Sequence, residues 1–382
     1  MTLAVKETIY QQDFQKSLEN ADQPGWLKAL RENAFAYFTE NGFPTVRDEE
    51  WKYTNVAALD SSRWSVVSGR KEELSGSAIE LLKQFNFERN GFTALHLAFA
   101  EIVVVTIPKE TSVSEPIEFN FNAADGTANF PHVIVVAEAG SRATIIESYE
   151  SGARSFTNSA IQIFVEDNAN LTHYRVQKES AESFHVGTTE IILKRGSFYN
   201  STNINLGAKL SRHDIHLKFS AEGGEALVDG LYMLNGEQHA DTHSEIDHAV
   251  PNCISHQTYK GVLNDRSRGV FNGKVFVREN ASGTDAQQSN KNLLLSTEAR
   301  VDTKPQLEIY NDDVKCAHGA TVGQLEEEEL FYLLSRGLND SLARNLLTYG
   351  FAEEIVNKIE VESIKKELDE AVLNRLQTNL EA

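Results

Sequence analysis

Two residues near the end of an extended segment have the types and spacing that chemistry needs. Cys316 and His318 lie in the stretch Lys304–Gly323, KPQLEIYNDDVKCAHGATVG, which is followed at once by helical patterns. In a strand, side chains alternate between faces, so these two would share one face about 7 Å apart. A thiolate and an imidazole so placed can ligate one metal ion or a small cluster together. Two donors do not complete a site that usually takes four, so the remaining ligands must come from elsewhere, another chain being the simplest source. The inert alternative is that Val314, Cys316 and His318 simply face the same side, the cysteine buried as free cysteines usually are.

A second candidate is the stripe from His239 to His256. His239, Asp241, His243, Glu245 and Asp247 alternate, with His248 and His256 nearby, and would line one face of a strand. Nitrogen and oxygen donors in that array fit a stand-alone metal-dependent enzyme. The competing reading is a solvated strand face or a ladder stacked between coils. A nucleotide site is excluded. Gly269 to Lys274 is one residue short of a phosphate loop, is followed by Val275, and leads into no helix.

The chain must supply elements that hold these residues. Residues 1–95 read as helical, with a helix opening at Pro24 and closing at Gly42 and Pro44, and another over 77–85. Between them Arg47–Leu59 carries Trp51 and Tyr53, which read as packing anchors. From 96 to 323 short β-branched runs follow one another, such as EIVVVTI, HVIVVAE, SAIQIFV and GKVFVRE. Turn residues such as Gly126, Gly140, Asn168, Gly223, Gly236 and Asp265 separate them. So much uninterrupted strand implies a large double sheet or a solenoid, and no strict repeat chooses between them. Residues 324–382 return to helices: Leu325–Arg336 ended by Gly337, then one with apolar face Leu342, Leu346 and Leu347 stopped at Gly350, then 351–359 and 364–380. These apolar stripes pack on the body of the chain or form a docking surface.

Composition narrows the classes. The 382 residues include 56 acidic against 36 basic side chains, a net charge of −20, which opposes nucleic-acid binding and binding to anionic membranes. Two cysteines form no disulfide framework and suit a reducing compartment. No apolar run approaches a membrane span or signal peptide, so the expectation is a soluble cytoplasmic protein.

Pro305, Leu307 to Ile309, Asp313-Val314, Cys316, His318 to Thr321 and Gly323 together resemble the hallmark block of the SufB/SufD family of iron–sulfur cluster assembly proteins. Ser335 to Gly337, Ala343 and Gly350-Phe351 resemble its tail. Arg47, Glu50, Trp51, Tyr53 and Thr54 resemble its N-terminal signature, and His239 to His243 through Lys274 its middle. The chain's length and its two cysteines are closer to the SufD-type members than to the SufB-type. The resemblance implies a central right-handed parallel β-helix with helical N- and C-terminal regions. It implies a non-catalytic scaffold that pairs with a SufB-like subunit and docks a SufC-like ATPase on the C-terminal helices. His318 would meet a nascent iron–sulfur cluster or iron, shared transiently with the SufB-like partner, with Cys316 beside it. Leu333, Arg336, Gly337, Leu346, Leu347 and Phe351 would form the ATPase-docking surface. A homodimer is the alternative assembly when the chain is alone, since β-helix edges can pair strand to strand.

Overall fold

The structure, a computed structural model, describes residues 9–20, 23–67, 74 and 76–377. Helices α1 (Gln11–Asn20), α2 (Gly25–Asn41), α3 (Ala57–Asp60), α4 (Gly76–Leu82) and α5 (Gly91–Phe99) come first. Pro24 takes the position before α2, where its missing N–H costs nothing. Gly42 closes the helix at φ 68°, its N–H donating to Phe38 O at 2.7 Å. The helical pattern runs past residue 95, because α5 extends to Phe99. Every residue of α5 is buried, so it carries no polar face to give the helical period away. Its start is fixed by Asn90, which accepts from Phe92 N and Thr93 N while Thr93 reaches back.

From Glu101 to Gly323 the chain winds as a parallel β-solenoid. Ten strands form one sheet and eight the other, all pairs are parallel, and sequential strands of the coils alternate between sheets. The solenoid therefore settles the choice that strand pattern left open. The turns fall where glycine, asparagine and aspartate predict them: Gly126, Gly140, Asn168, Gly223, Gly236 and Asp265 all have positive φ. Inward side chains stack rung on rung. In one column Ser201, Val228, Gln257, Gln288 and His318 are successive lateral partners. Their unequal spacing along the chain explains why no repeat is visible.

The lumen is mainly aliphatic, with Ile145, Ile163, Leu193, Leu217, Phe271 and Val275 among its buried residues. A polar layer is built into it. Glu147 accepts from His173 Nε2 at 2.6 Å, His173 Nδ1 meets Tyr199 Oη at 2.8 Å, and His185 Nδ1 meets Glu179 at 2.8 Å. These groups are satisfied mutually, as burial demands. The N-terminal helices cover the first coils of the ten-stranded sheet through Phe35, Phe43, Phe92 and Phe99 against Phe130, Phe156 and Phe184.

After the solenoid come α6 (Glu327–Ser335), α7 (Asp340–Val356) and α8 (Glu362–Gln377). Gly337 follows α6 at φ 95°, as expected of a helix stop. Gly350 does not stop a helix: α7 passes through it without interruption to Val356, capped at its start by Asn339, whose side chain accepts from Leu342 N. α7 is thus one long helix where two were expected, and residues 378–380 of the last expected helix lie outside the described residues. The buried face of α7 is Ala343, Thr348, Ala352, Ile355 and Val356, not the expected Leu342 and Leu346, which face solvent. It packs with α8 on the outer face of the eight-stranded sheet, against Ile146, Tyr174, Ile204 and Met233.

Candidate functional site

Cys316 and His318 lie on the strand Val314–Gly323, the terminal strand of the eight-stranded sheet. Val314 and Cys316 pack against the solenoid core, so this parity points into the lumen. His318 follows the same parity, and its neighbour on the preceding rung is the buried Gln288. Among the described residues no strand is paired beyond this one, so His318 is exposed at the open end. The two residues are therefore brought to one face, as their spacing predicts. Burial pushes the Cys316 thiol up from its ordinary value, so it must lose a proton before it can ligate metal. Cys253 lies elsewhere, fully buried and free.

The same end leaves two edges bare. The strand Arg300–Ile309 ends the ten-stranded sheet as Val314–Gly323 ends the other, and among the described residues each has a strand on one side only. Ile309, Tyr310 and Val322 are exposed there. Unpaired N–H and C=O rows of this kind are templates for strand addition.

The histidine stripe has a different fate. His239, Asp241 and His243 lie on the strand His239–His248 and face outward, beneath the segment Glu49–Thr54. Thr54 Oγ1 donates to Asp241 at 2.5 Å, so its 2.9 Å contact with His239 must be a bond donated by His239 Nε2. His243 bridges Asp241 at 3.0 Å and Glu50 at 3.3 Å. The fully buried Arg212 donates to Asp214, to Asp241 at 2.9 Å and to the Glu50 carbonyl at 2.6 Å, and lies 3.7 Å over the Trp51 ring. Lys274 pairs with Glu50 at 2.5 Å. Among the described residues no group of three or more His, Cys, Asp or Glu is arranged to hold a metal ion. The stripe is a clamp that fastens the N-terminal signature to the solenoid, and Trp51 is the packing anchor the sequence suggests. Its electrostatics follow from the pairing. The hydrogen bond from His243, with Lys274, draws Glu50 down to about 2, against the raising effect of partial burial. Burial opposes the charge on His243, but Asp241 and Glu50 outweigh it and raise its pKa. Sequence alternation could not reveal this, because the partners come from nearly two hundred residues upstream.

Of the expected docking residues, Arg336, Gly337 and Leu346 are exposed, while Leu333, Leu347 and Phe351 are half-buried. Lys260 Nζ sits 4.5 Å over the Phe351 ring, holding it to the solenoid. The most exposed apolar side chains here are ones the sequence reading passed over, Phe331 and Tyr332 on α6. No residue of α6 is buried. Ion pairs tie the C-terminal helices to the eight-stranded sheet, among them Lys358 with Asp229 at 2.8 Å and Lys260 with Glu354.

Comparison with known proteins places this architecture. A family described as SUF system FeS cluster assembly, SufBD core domain, matches residues 119–351, and the SufBD protein N-terminal region matches 6–73. An iron–sulfur cluster assembly SufBD family protein of Synechocystis is 37% identical over 348 residues, 87% of this chain and 76% of the relative. The iron–sulfur cluster assembly protein SufD of Escherichia coli is 32% identical, over 88% of this chain and 90% of its own length. SufD of Bacillus subtilis is 26% identical over 96% of this chain and 98% of its own. A parallel β-solenoid flanked by helices, ending on a Cys-x-His strand, is thus a SufBD-type assembly protein. The chain belongs to the SufBD family, and two of these three relatives bear the name SufD.

Proposed function

We propose that this chain is a non-catalytic, cytoplasmic scaffold subunit of the iron–sulfur cluster assembly machinery. Its open end pairs with a SufB-like subunit, and His318, with Cys316 beside it, offers donors to iron or a nascent cluster held between the two chains. The observation that carries this reading is the last rung itself: among the described residues, an inward-facing imidazole with no rung above it, at the end where both sheets present an unpaired edge. A second solenoid seated there would cover both edges and bring its own donors to His318. His318 is exposed at the open end while Cys316 is half-buried, so His318 is the donor a partner chain meets first. The exposed apolar surface of α6 and the outer side of α7 receive a SufC-like ATPase. Motion of that partner would reach the sheet through Lys260–Glu354 and Lys358–Asp229.

The test is anaerobic reconstitution of the three-protein complex with His318→Ala, reading bound iron and acid-labile sulfide. The variant complex is expected to assemble normally and to hold a small fraction of the parent's iron. Equal iron and sulfide in both complexes would overturn the reading. Light scattering of the chain with and without the SufB-like partner separates pairing between unlike chains from self-pairing.

A further inference from the structure

We infer that the two bare edges are not equivalent: the partner chain adds its strand to the eight-stranded sheet along Val314–Gly323, and Pro305 keeps the edge of the ten-stranded sheet out of that ladder. The inference rests on the reading that this end pairs with a SufB-like subunit. It adds which edge bonds and what holds the other back.

The backbone decides which groups each edge offers. In a parallel sheet a residue directs its N–H and C=O to one side, and the next residue directs them to the other. Arg300 N donates to Ser267 O at 3.0 Å and Tyr310 N to Val277 O at 2.9 Å, so the even-numbered residues of Arg300–Ile309 bond back to the strand beside it. The groups facing the open side are then those of Val301, Thr303, Pro305, Leu307 and Ile309. On the other sheet, Asp285 N donates to Cys253 O at 3.1 Å and Leu295 N to Leu263 O at 2.8 Å. The odd-numbered residues of Thr284–Leu294 thus bond away from the terminal strand, and the even-numbered ones bond toward it. The register then turns the odd-numbered residues of Val314–Gly323 back to the sheet. Val314, Cys316, His318, Ala320 and Val322 are left facing out.

Each open row holds five residues, and the two differ at the middle. One is centred on His318, the other on Pro305. A proline has no N–H, which costs the sheet nothing here, because position 305 faces away from the strand it pairs with. An incoming strand fares differently. Its carbonyl opposite Pro305 would find no donor and would be buried unsatisfied at the centre of the ladder. The row centred on His318 has its N–H at every position.

The side chains agree with the backbone. Val301 and Leu307 pack toward the core, so Arg300, Asp302, Lys304 and Glu308 stand on the outer face along the Pro305 edge. Asp302 pairs with Arg268 at 2.7 Å and Lys304 with Glu49 at 2.9 Å, which brings the N-terminal segment up beside that edge. Proline and charge are both means by which sheet edges are blunted. Beyond Lys315 the outer face of the other terminal strand carries only Ala317, Gly319, Thr321 and Gly323, and a Cβ on Gly319 would meet nothing within 4 Å. That flank is clear for an added strand. A solenoid seated end to end about a two-fold axis adds its strand antiparallel, so full overlap sets its middle residue opposite His318. The continuous ladder therefore forms at the edge that carries the imidazole.

The experiment follows amide hydrogen exchange, residue by residue, in the full chain alone and in its complex with the SufB-like subunit. Complex formation is expected to slow Cys316, His318 and Ala320 by roughly tenfold or more, with Thr303 and Leu307 little changed. Ala320→Pro removes one donor from the open row without touching a bond within the sheet. It should leave the melting temperature of the chain alone near that of the parent. It should weaken partner binding roughly ten- to a hundredfold, as a lost hydrogen bond and a stranded carbonyl require. Pro305→Val supplies the missing donor and should extend protection in the complex to Thr303 and Leu307. Equal protection of both rows in the parent complex would overturn the inference. So would parent-like binding by Ala320→Pro, or unchanged exchange of Thr303 and Leu307 in the Pro305→Val complex. Protection of neither row would overturn the pairing reading along with it. Undiminished iron in the His318→Ala complex would overturn the donor reading alone, because none of these measurements needs iron.

Discussion

Arg212 sits over Trp51, its guanidinium carbon 3.7 Å from the ring centroid, so a side chain of the solenoid and one of the N-terminal segment form a single cation–π unit. That unit is the apolar half of a clamp whose polar half is Asp214, Asp241, His243 and Glu50. Aromatic faces attract a guanidinium most when water is excluded, and here Arg212 and Trp51 are both buried.

Replacing Arg212 by Met keeps much of the volume but takes away the guanidinium that pairs with both buried carboxylates, Asp214 and Asp241. Breaking one side of a buried pair costs about 3–5 kcal/mol, far more than the pair itself contributes relative to an apolar substitute. Urea unfolding of Arg212→Met should show a loss of that order. Arg266→Met, which breaks the exposed pair with Glu237, should stay within about 0.5 kcal/mol of the parent.

The clamp also has a pH window. His243 has a raised pKa in the folded state, so its contribution is complete below the ordinary imidazole value and is lost as pH rises through the raised one. Glu50 is lowered to about 2, so its contribution is present above the ordinary carboxylate value of 4.5 and disappears as pH falls toward 2. Clamp stability is therefore greatest between the ordinary carboxylate and imidazole values and declines on both sides. Buried histidines held below the ordinary value, such as His132, His216 and His239, add their own loss of stability on the acid side. The window is therefore read as the difference in melting temperature between parent and clamp variants at each pH. His243→Gln should flatten its alkaline side, and Glu50→Gln should weaken the acid side.

Inside the solenoid, rings lie over glycines on the adjacent rung. Tyr259 is the lateral partner of Gly230, and a Cβ on Gly230 would stand 2.2 Å from Tyr259 Cε1. Tyr232 covers Gly261 in the same way, at 2.2 Å from Cε2. Both rings are fully buried and cannot swing clear. Overpacking of this kind costs roughly 1–3 kcal/mol. Gly230→Ala should lose that much in chemical denaturation. Gly319→Ala, beside His318 with nothing within 4 Å of its Cβ, should change stability by less than about 0.5 kcal/mol.

These particulars show what alternation and turn chemistry carry and what they do not. The strand Glu101–Ile107 and the corner at Gly236 are legible because each depends on its own few residues. That the strands stack into a solenoid is not legible, because the equivalent residues Ser201, Val228, Gln257, Gln288 and His318 are unevenly spaced. The parity of Cys316 and His318 can be read from spacing. The inward Gln288 cannot, since Gln288, Asn290 and Asn292 alternate as a solvated strand face would, although all three are buried. Sidedness also misleads on α7. Leu342 and Leu346 look like a core stripe, yet the packed face is the smaller Ala343, Thr348 and Ala352, which lets the helix sit close to the sheet.

That reversal yields the last prediction. Phe331 is 72% exposed, Tyr332 and Leu346 lie about half in solvent, and no residue of α6 is buried, so these side chains add little to the stability of the chain alone. If they are the anchors for a SufC-like ATPase, truncating them should separate binding from folding. An aromatic anchor at the centre of an interface contributes at least about 2 kcal/mol, a loss of roughly thirtyfold in affinity. Phe331→Ala should therefore leave the melting temperature unchanged while weakening the ATPase's binding by that factor in calorimetry. Ile355→Ala, on the buried face of the neighbouring helix, should do the reverse. It should cost about 2–5 kcal/mol of stability and leave the affinity of the folded fraction near that of the parent. Parent-like binding by Phe331→Ala would place the docking surface elsewhere on the chain.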